Sequence, residues 1–222
     1  MLAPVPSVAS GLLQLLGAAL VLSAFWMLAA RNLGDYRHAY VVQSVAVAFV
    51  ATVVGISTRR VDLYVVAALS VLVKVIAIPA ILRVVAQRLP SHREVSAVLN
   101  LPASLLVGVA LVVLAFVTSP AVVAPGTFLN EPPLAISLAL VLIGLFIISS
   151  RRHVLAQVVG LLTIENGLFS GAIAIAYGMP LIVEFGILLD VLVAVILLGL
   201  LATLIRRHIL TADTGELRRL RG

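Results

Sequence analysis

The chain contains no cysteine. No disulfide can form in it, and no thiolate is available to hold an iron–sulfur cluster, so thiolate-bound metal redox chemistry lies outside what this chain can do by itself. Charge is also scarce: nine acidic and fifteen basic residues make up 11% of the 222 positions, where soluble chains carry about 25%. A single lysine and a single tryptophan occur. With 63% hydrophobic residues and a mean hydropathy of +1.24, a water-soluble globule is excluded. The apolar residues fall into runs of about 20, the length a helix needs to cross a hydrocarbon layer of roughly 30 Å, and not into the alternating ten-residue segments of an outer-membrane barrel. The expected fold is an all-α integral membrane protein, a bundle of about seven transmembrane helices.

The runs predict spans near residues 9–30, 39–58, 62–86, 97–118, 133–150, 154–177 and 181–206, separated by Pro, Gly, Asn and Arg clusters. No basic residue precedes the first run, so the charged leader of a signal peptide is missing and the run reads as a permanent helix. Arginines 31, 37, 83, 88, 93, 151 and 152, with five more after Leu204, fall on one side. If that side is cytoplasmic, the N-terminus is outside, the C-terminus is inside, and Arg59 and Arg60 are the exceptions. The expected organisation is a four-helix segment over 1–118, an outside loop over 119–133, a three-helix segment over 134–206 and a basic cytoplasmic tail over 207–222. The tail reads as a solvated arm against anionic headgroups or a docking segment for a cytoplasmic partner.

Ionisable residues inside the spans carry the most information, because each costs roughly 2.5–3.5 kcal/mol at a helix centre and must find a partner or a wet cavity. Lys74 lies about 18 Å from the outer end of its helix, Glu165 about 17 Å from the inner end of its own, and Asp190 about 14 Å from the outer end of the last span. All three therefore sit near the midplane, with Glu184 one to two turns above Asp190. Such a row of candidate residues, Lys74, Glu165, Asp190 and Glu184, can relay protons when water links its members. The competing reading is a static pair, for instance Lys74 with Glu165, that fixes helix packing. Pro79 removes a helical donor just beyond Lys74 and predicts a kink there. Gly160, Gly167 and Gly171 read as packing positions.

Other chemistry finds no support. His38, His92, His153 and His208 are expected in inner loops or tails without ligand spacing, so no metal site and no cofactor are expected. No phosphate-binding loop, no nucleophile elbow and no catalytic triad order appears, so no catalytic residue is assigned. The arginines sit at helix ends, where loop charge belongs, and nucleic-acid binding is not expected.

The blocks Ile164-Glu165-Asn166-Gly167, Pro180-Leu181-Ile182-Val183-Glu184-Phe185-Gly186-Ile187, Asp190-Val191-Leu192-Val193-Ala194-Val195 and Leu217-Arg218-Arg219-Leu220-Arg221-Gly222 resemble component E of the hydrogenase-4 type membrane complexes. Val73-Lys74-Val75, Ile78-Pro79 and Arg88-Leu89-Pro90 look like the lysine helix of that family. The last three spans are similar to the K subunit of respiratory complex I, whose second and third helices carry proton-translocating glutamates; Glu165 and Asp190 are the positions this resemblance implies. It further implies a non-catalytic membrane-arm subunit of a group 4 nickel–iron hydrogenase in a bacterial or archaeal plasma membrane. Its partners would be antiporter-like membrane subunits and a head carrying the nickel–iron and iron–sulfur centres. The rival functions are a structural anchor for the same assembly and a subunit of a multisubunit cation/proton antiporter.

Overall fold

In the computed structural model the described residues are 7–59, 61–88, 95, 98–122 and 131–175, with 193, 199 and 203 as isolated helical positions. Every extended element among them is helical: α1 (Ser7–Ala29), α2 (Leu33–Thr58), α3 (Val61–Ser70), a π-helical segment (Val71–Ala77), α4 (Ile78–Arg88), α5 (Leu101–Val122), α6 (Glu131–Ser150) and α7 (Val154–Ile175). α3, the π segment and α4 form one broken span, so six helices here are long and apolar enough to cross a membrane. The protein is a multi-pass helical membrane bundle. The seventh expected span lies outside the described residues apart from Val193, Gly199 and Thr203.

Two antiparallel pairs, α1 with α2 and α6 with α7, form the centre. α7 packs on α2 as well as α6, and most of its residues are buried. α5 covers α1 and α6 and presents Leu106, Val109, Val113 and Val117 outward, while the broken span lies along α2. Helices that are apolar all round suit this arrangement, because one side meets the bundle and the other meets lipid. At one end the chain after α4 stitches the pairs together: Val95 N–H donates to the Arg31 carbonyl (2.8 Å) and Val98 N–H to the Ser150 carbonyl (3.0 Å). The basic residues 31 and 151 therefore lie at the same end, as the loop count requires.

Several boundaries differ from expectation, each for a local reason. α2 begins at Leu33, six residues before the predicted start, because Asn32 caps it: Asp35 N–H donates to Asn32 Oδ1 (2.9 Å), and Asn32 Nδ2 donates back to Asp35 Oδ2 (2.7 Å). His38 accordingly lies in a helix and not in a loop. α5 begins after Asn100, whose side-chain oxygen accepts from Ala103 N–H (3.0 Å), and it runs through Pro120 to Val122. Pro120 has no N–H for the Phe116 carbonyl, and Ser119 Oγ donates to that carbonyl instead (3.3 Å). The connection expected at 119–133 shortens to 123–130, outside the described residues. At the far end of α2, Arg59 adopts a left-handed conformation (φ 53°) and its N–H closes on the Gly55 carbonyl.

The kink expected beyond Lys74 is a π segment that contains Lys74. Ile78 N–H reaches back five residues to the Val73 carbonyl. Pro79 follows with no N–H to return to the preceding turn, so the wider turn is formed where the regular ladder already lacks a donor.

α7 is capped by His153. Its carbonyl accepts from Ala156 and Gln157 N–H (3.0 and 3.1 Å), and its Nδ1 accepts from Leu155 N–H at 3.2 Å, which requires an unprotonated Nδ1. Burial lowers the His153 pKa below its ordinary 6.5. The sign follows: on acidification the unfolded chain takes up the proton before the folded one does, so stability is full above pH 6.5 and is lost as pH falls below it. The thermal midpoint of the purified protein is expected to drop between pH 7.5 and 5.5. His153→Asn, which keeps a capping oxygen without titrating, is expected to show a smaller drop; an equal drop in both assigns the effect elsewhere.

Candidate functional site

The π segment turns Lys74 inward, where its side chain is 3% exposed. Three groups of α7 surround the ammonium: Glu165 Oε1 at 2.6 Å, Asn166 Oδ1 at 3.2 Å and the face of Phe169 with its centroid at 5.6 Å. Glu165 is equally enclosed at 3%. Asn166 then donates through Nδ2 to Gln43 Oε1 of α2 (3.1 Å), and both amides are fully buried. A directional chain runs from Lys74 through Asn166 to Gln43, joining the broken span, α7 and α2. One turn on, Ser170 Oγ donates to the Asn166 carbonyl at 2.8 Å.

Two charges out of water cost several kcal/mol each, and only direct contact with further hydrogen bonds and a cation–π partner offsets that cost. The arrangement meets this condition. It places a proton donor and a proton acceptor in contact, with amides that orient them.

The seam between α6 and α7 holds Glu165 in place. Ser137 Oγ donates to the Gly167 carbonyl at 2.7 Å, and a Cβ at Gly171 would run into the same hydroxyl. Gly144 and Gly160 face each other: a Cβ on Gly160 would lie 3.0 Å from the Gly144 carbonyl oxygen and 2.9 Å from Ile148 Cγ1. The close approach expected of Gly160, Gly167 and Gly171 is present, with Gly144 as the partner that the sequence did not single out. Gly160→Val is expected to force the pair apart at a cost of about 1–3 kcal/mol. Lower thermal stability in detergent checks this, and unchanged stability would mean the seam tolerates bulk.

Of the four sequence-derived site residues, the structure brings Lys74 and Glu165 into contact. Glu184 and Asp190 lie outside the described residues. Sequence reasoning missed Gln43 and did not assign Asn166 a role. The available signal was that Gln43 is the only amide within the apolar run of α2, and that Asn166 adjoins a buried acid. Arg151 was counted among loop charges, yet its side chain is buried and its Nη2 donates to the Leu28 carbonyl at 2.6 Å. Among the described residues no group of three metal-ligating side chains occurs.

No protein-family model matches the chain, and no solved structure does. Among curated proteins, an uncharacterized protein of Mycobacterium tuberculosis is 40% identical over 141 residues, 63% of each chain. The match thus spans somewhat less than two thirds of that relative. Hydrogenase-4 component E of Escherichia coli K12 is 36% identical over 151 residues, covering 67% of this chain and 69% of the relative, and the Shigella flexneri protein of the same name matches to the same extent. The buried lysine–glutamate contact sits in a chain that, on this likeness, belongs to the hydrogenase-4 component E family.

Proposed function

We propose that this chain is a non-catalytic membrane-arm subunit of a complex I-like group 4 hydrogenase in a bacterial or archaeal plasma membrane, and that it contributes to proton translocation coupled to hydrogen metabolism. The observation that carries this reading is the Lys74–Glu165 contact, enclosed at mid-span between three helices. Kinship with hydrogenase-4 component E supports the assembly. In the relay, the Lys74 ammonium passes a proton to the Glu165 carboxylate, leaving a neutral amine and a neutral acid. Glu165 releases that proton onward, and the amine takes up another to restore the pair. Asn166 and Gln43 stay neutral and hold the lysine. The relay extends, on the sequence grounds given above, to Asp190 and to Glu184 near the outer rim. The metal centres belong to a partner, since this chain has no cysteine.

A second reading has its own observation: a 2.6 Å pair with its lysine held by an amide and a ring is also what a structural anchor would use. Proton pumping by the whole complex in sealed vesicles separates the two. Glu165→Gln and Asp190→Asn are expected to lower protons moved per hydrogen turned over, with assembly retained. Unchanged pumping at normal turnover in both variants ends the relay reading, and loss of assembly alone favours the anchor. A co-purifying large subunit with two separated Cys-x-x-Cys pairs is the expected mark of the hydrogenase assignment.

A further inference from the structure

One face of α2 is polar where an apolar face would suffice. Tyr36, Tyr40, Gln43 and Ser44 follow the i, i+4, i+7, i+8 pattern of a single helical stripe and are each at most 1% exposed. The stripe climbs about 12 Å along the helix. Near its upper end, Gln43 is already joined through Asn166 to Lys74. Its lower end, Tyr36, lines a cavity of about 470 Å³ at the arginine-rich end of the bundle, walled also by Arg37, Arg83, Gln87, Leu155 and Val159.

Three groups on this stripe are buried with no hydrogen-bond partner among the described residues: the Tyr36 hydroxyl, the Ser44 hydroxyl and Nε2 of Gln43. A buried polar atom left unpaired costs about 1–3 kcal/mol. Three in one row, between a cavity and a buried ion pair, are the surroundings in which ordered water is retained, because each water needs two to four polar partners.

We propose that the Tyr36–Ser44 face of α2 is a water-binding path that connects the cavity at the arginine-rich membrane edge with the Lys74–Glu165 pair. Waters accept from Gln43 Nε2 and exchange hydrogen bonds with the two hydroxyls, so the pair is reached from one side of the membrane through α2 and α7. The path gives the proposed relay its access and rests on that reading for its purpose, but it is tested without it.

The absence of cysteine makes the test direct. Single-cysteine variants Tyr40→Cys, Ser44→Cys and Ala51→Cys are made in the full chain within its complex and treated with 2-sulfonatoethyl methanethiosulfonate, an anionic reagent suited to a mouth lined by Arg37 and Arg83. Labelling of this chain is read by mass spectrometry. Ala51 lies two turns beyond Ser44, is fully buried and serves as the dry control. Ser44→Cys, nearly isosteric with serine, is expected to label at least about tenfold faster than Ala51→Cys, because a charged reagent enters a wet path and not an apolar core. Tyr40→Cys is expected to label faster still. Equal slow labelling at all three positions overturns the path. Fast labelling of Ser44→Cys together with normal pumping by both Glu165→Gln and Asp190→Asn keeps the path and removes the relay, so the two failures are distinguishable.

Discussion

Replacing Lys74 by methionine is expected to cost about 3–5 kcal/mol, because it leaves the Glu165 carboxylate enclosed without its counter-charge. The lost partner is the ammonium at 2.6 Å, in a site where both side chains are only 3% exposed. Thermal unfolding of the purified complex and its recovery from membranes are the measurements. Removing both charges, Lys74→Met with Glu165→Met, is expected to restore most of that loss, since a buried pair exchanged for apolar groups of similar volume is commonly neutral. The cycle then separates structure from coupling. A double variant that assembles but moves no protons supports the relay; one that assembles and pumps at the original ratio removes the pair from the proton path. A Lys74→Met variant as stable as the original chain would show that the contact is not a buried charge pair at all.

What the sequence disclosed and what it hid follow one physical rule. A charge inside an apolar run is conspicuous because lipid penalises it, so Lys74 and Glu165 were visible, and equal depth on two helices raised their direct pairing as one of two readings. Helix length was legible for the same reason, through the match between run length and hydrocarbon thickness. Residues whose types suit two environments were not legible. Asn32 and Asp35 belong equally to a turn or a cap, and only the reciprocal hydrogen bonds show that α2 starts there. Pro120 reads as a stop, yet Ser119 supplies the donor that lets α5 continue. Gln43, Tyr36 and Tyr40 are mild polar groups that an interface or a core accommodates, and burial alone distinguishes them. Lys74 was visible as a charge, whereas the π segment that aims it was not, because Pro79 predicts a missing donor without saying how the backbone accommodates it.

Arg151 is the clearest case of hidden information, and its removal is the second change expected to have a large effect. Beside Arg152 at a helix end it has the signature of loop charge, whereas its guanidinium is buried against the end of α1. Leu28 is the penultimate residue of α1, so its carbonyl is one of the last four with no partner inside the helix, and the partial negative charge of the helix end is concentrated there. Arg151 answers both needs with one donor at 2.6 Å, while its own carbonyl accepts from Gln157 Nε2 at 2.8 Å. The contact ties the C-terminal end of α6, whose last turn the Arg151 N–H extends to the Ile147 carbonyl (3.1 Å), to the end of α1, two helices that share no loop. Arg151→Met is expected to destabilise the bundle by about 2–4 kcal/mol, combining a buried carbonyl left without a donor (about 1–3 kcal/mol) with the lost charge at the helix end (up to about 2 kcal/mol). Arg151→Lys keeps the charge but loses the planar fork, and is expected to recover only part of the loss. Arg152→Met, at an exposed neighbour, is the matched control and is expected to change stability by less than about 0.5 kcal/mol. Equal effects at 151 and 152, read as thermal midpoints of the purified complex, would mean that Arg151 acts as loop charge after all and that the α1–α6 tie carries no weight.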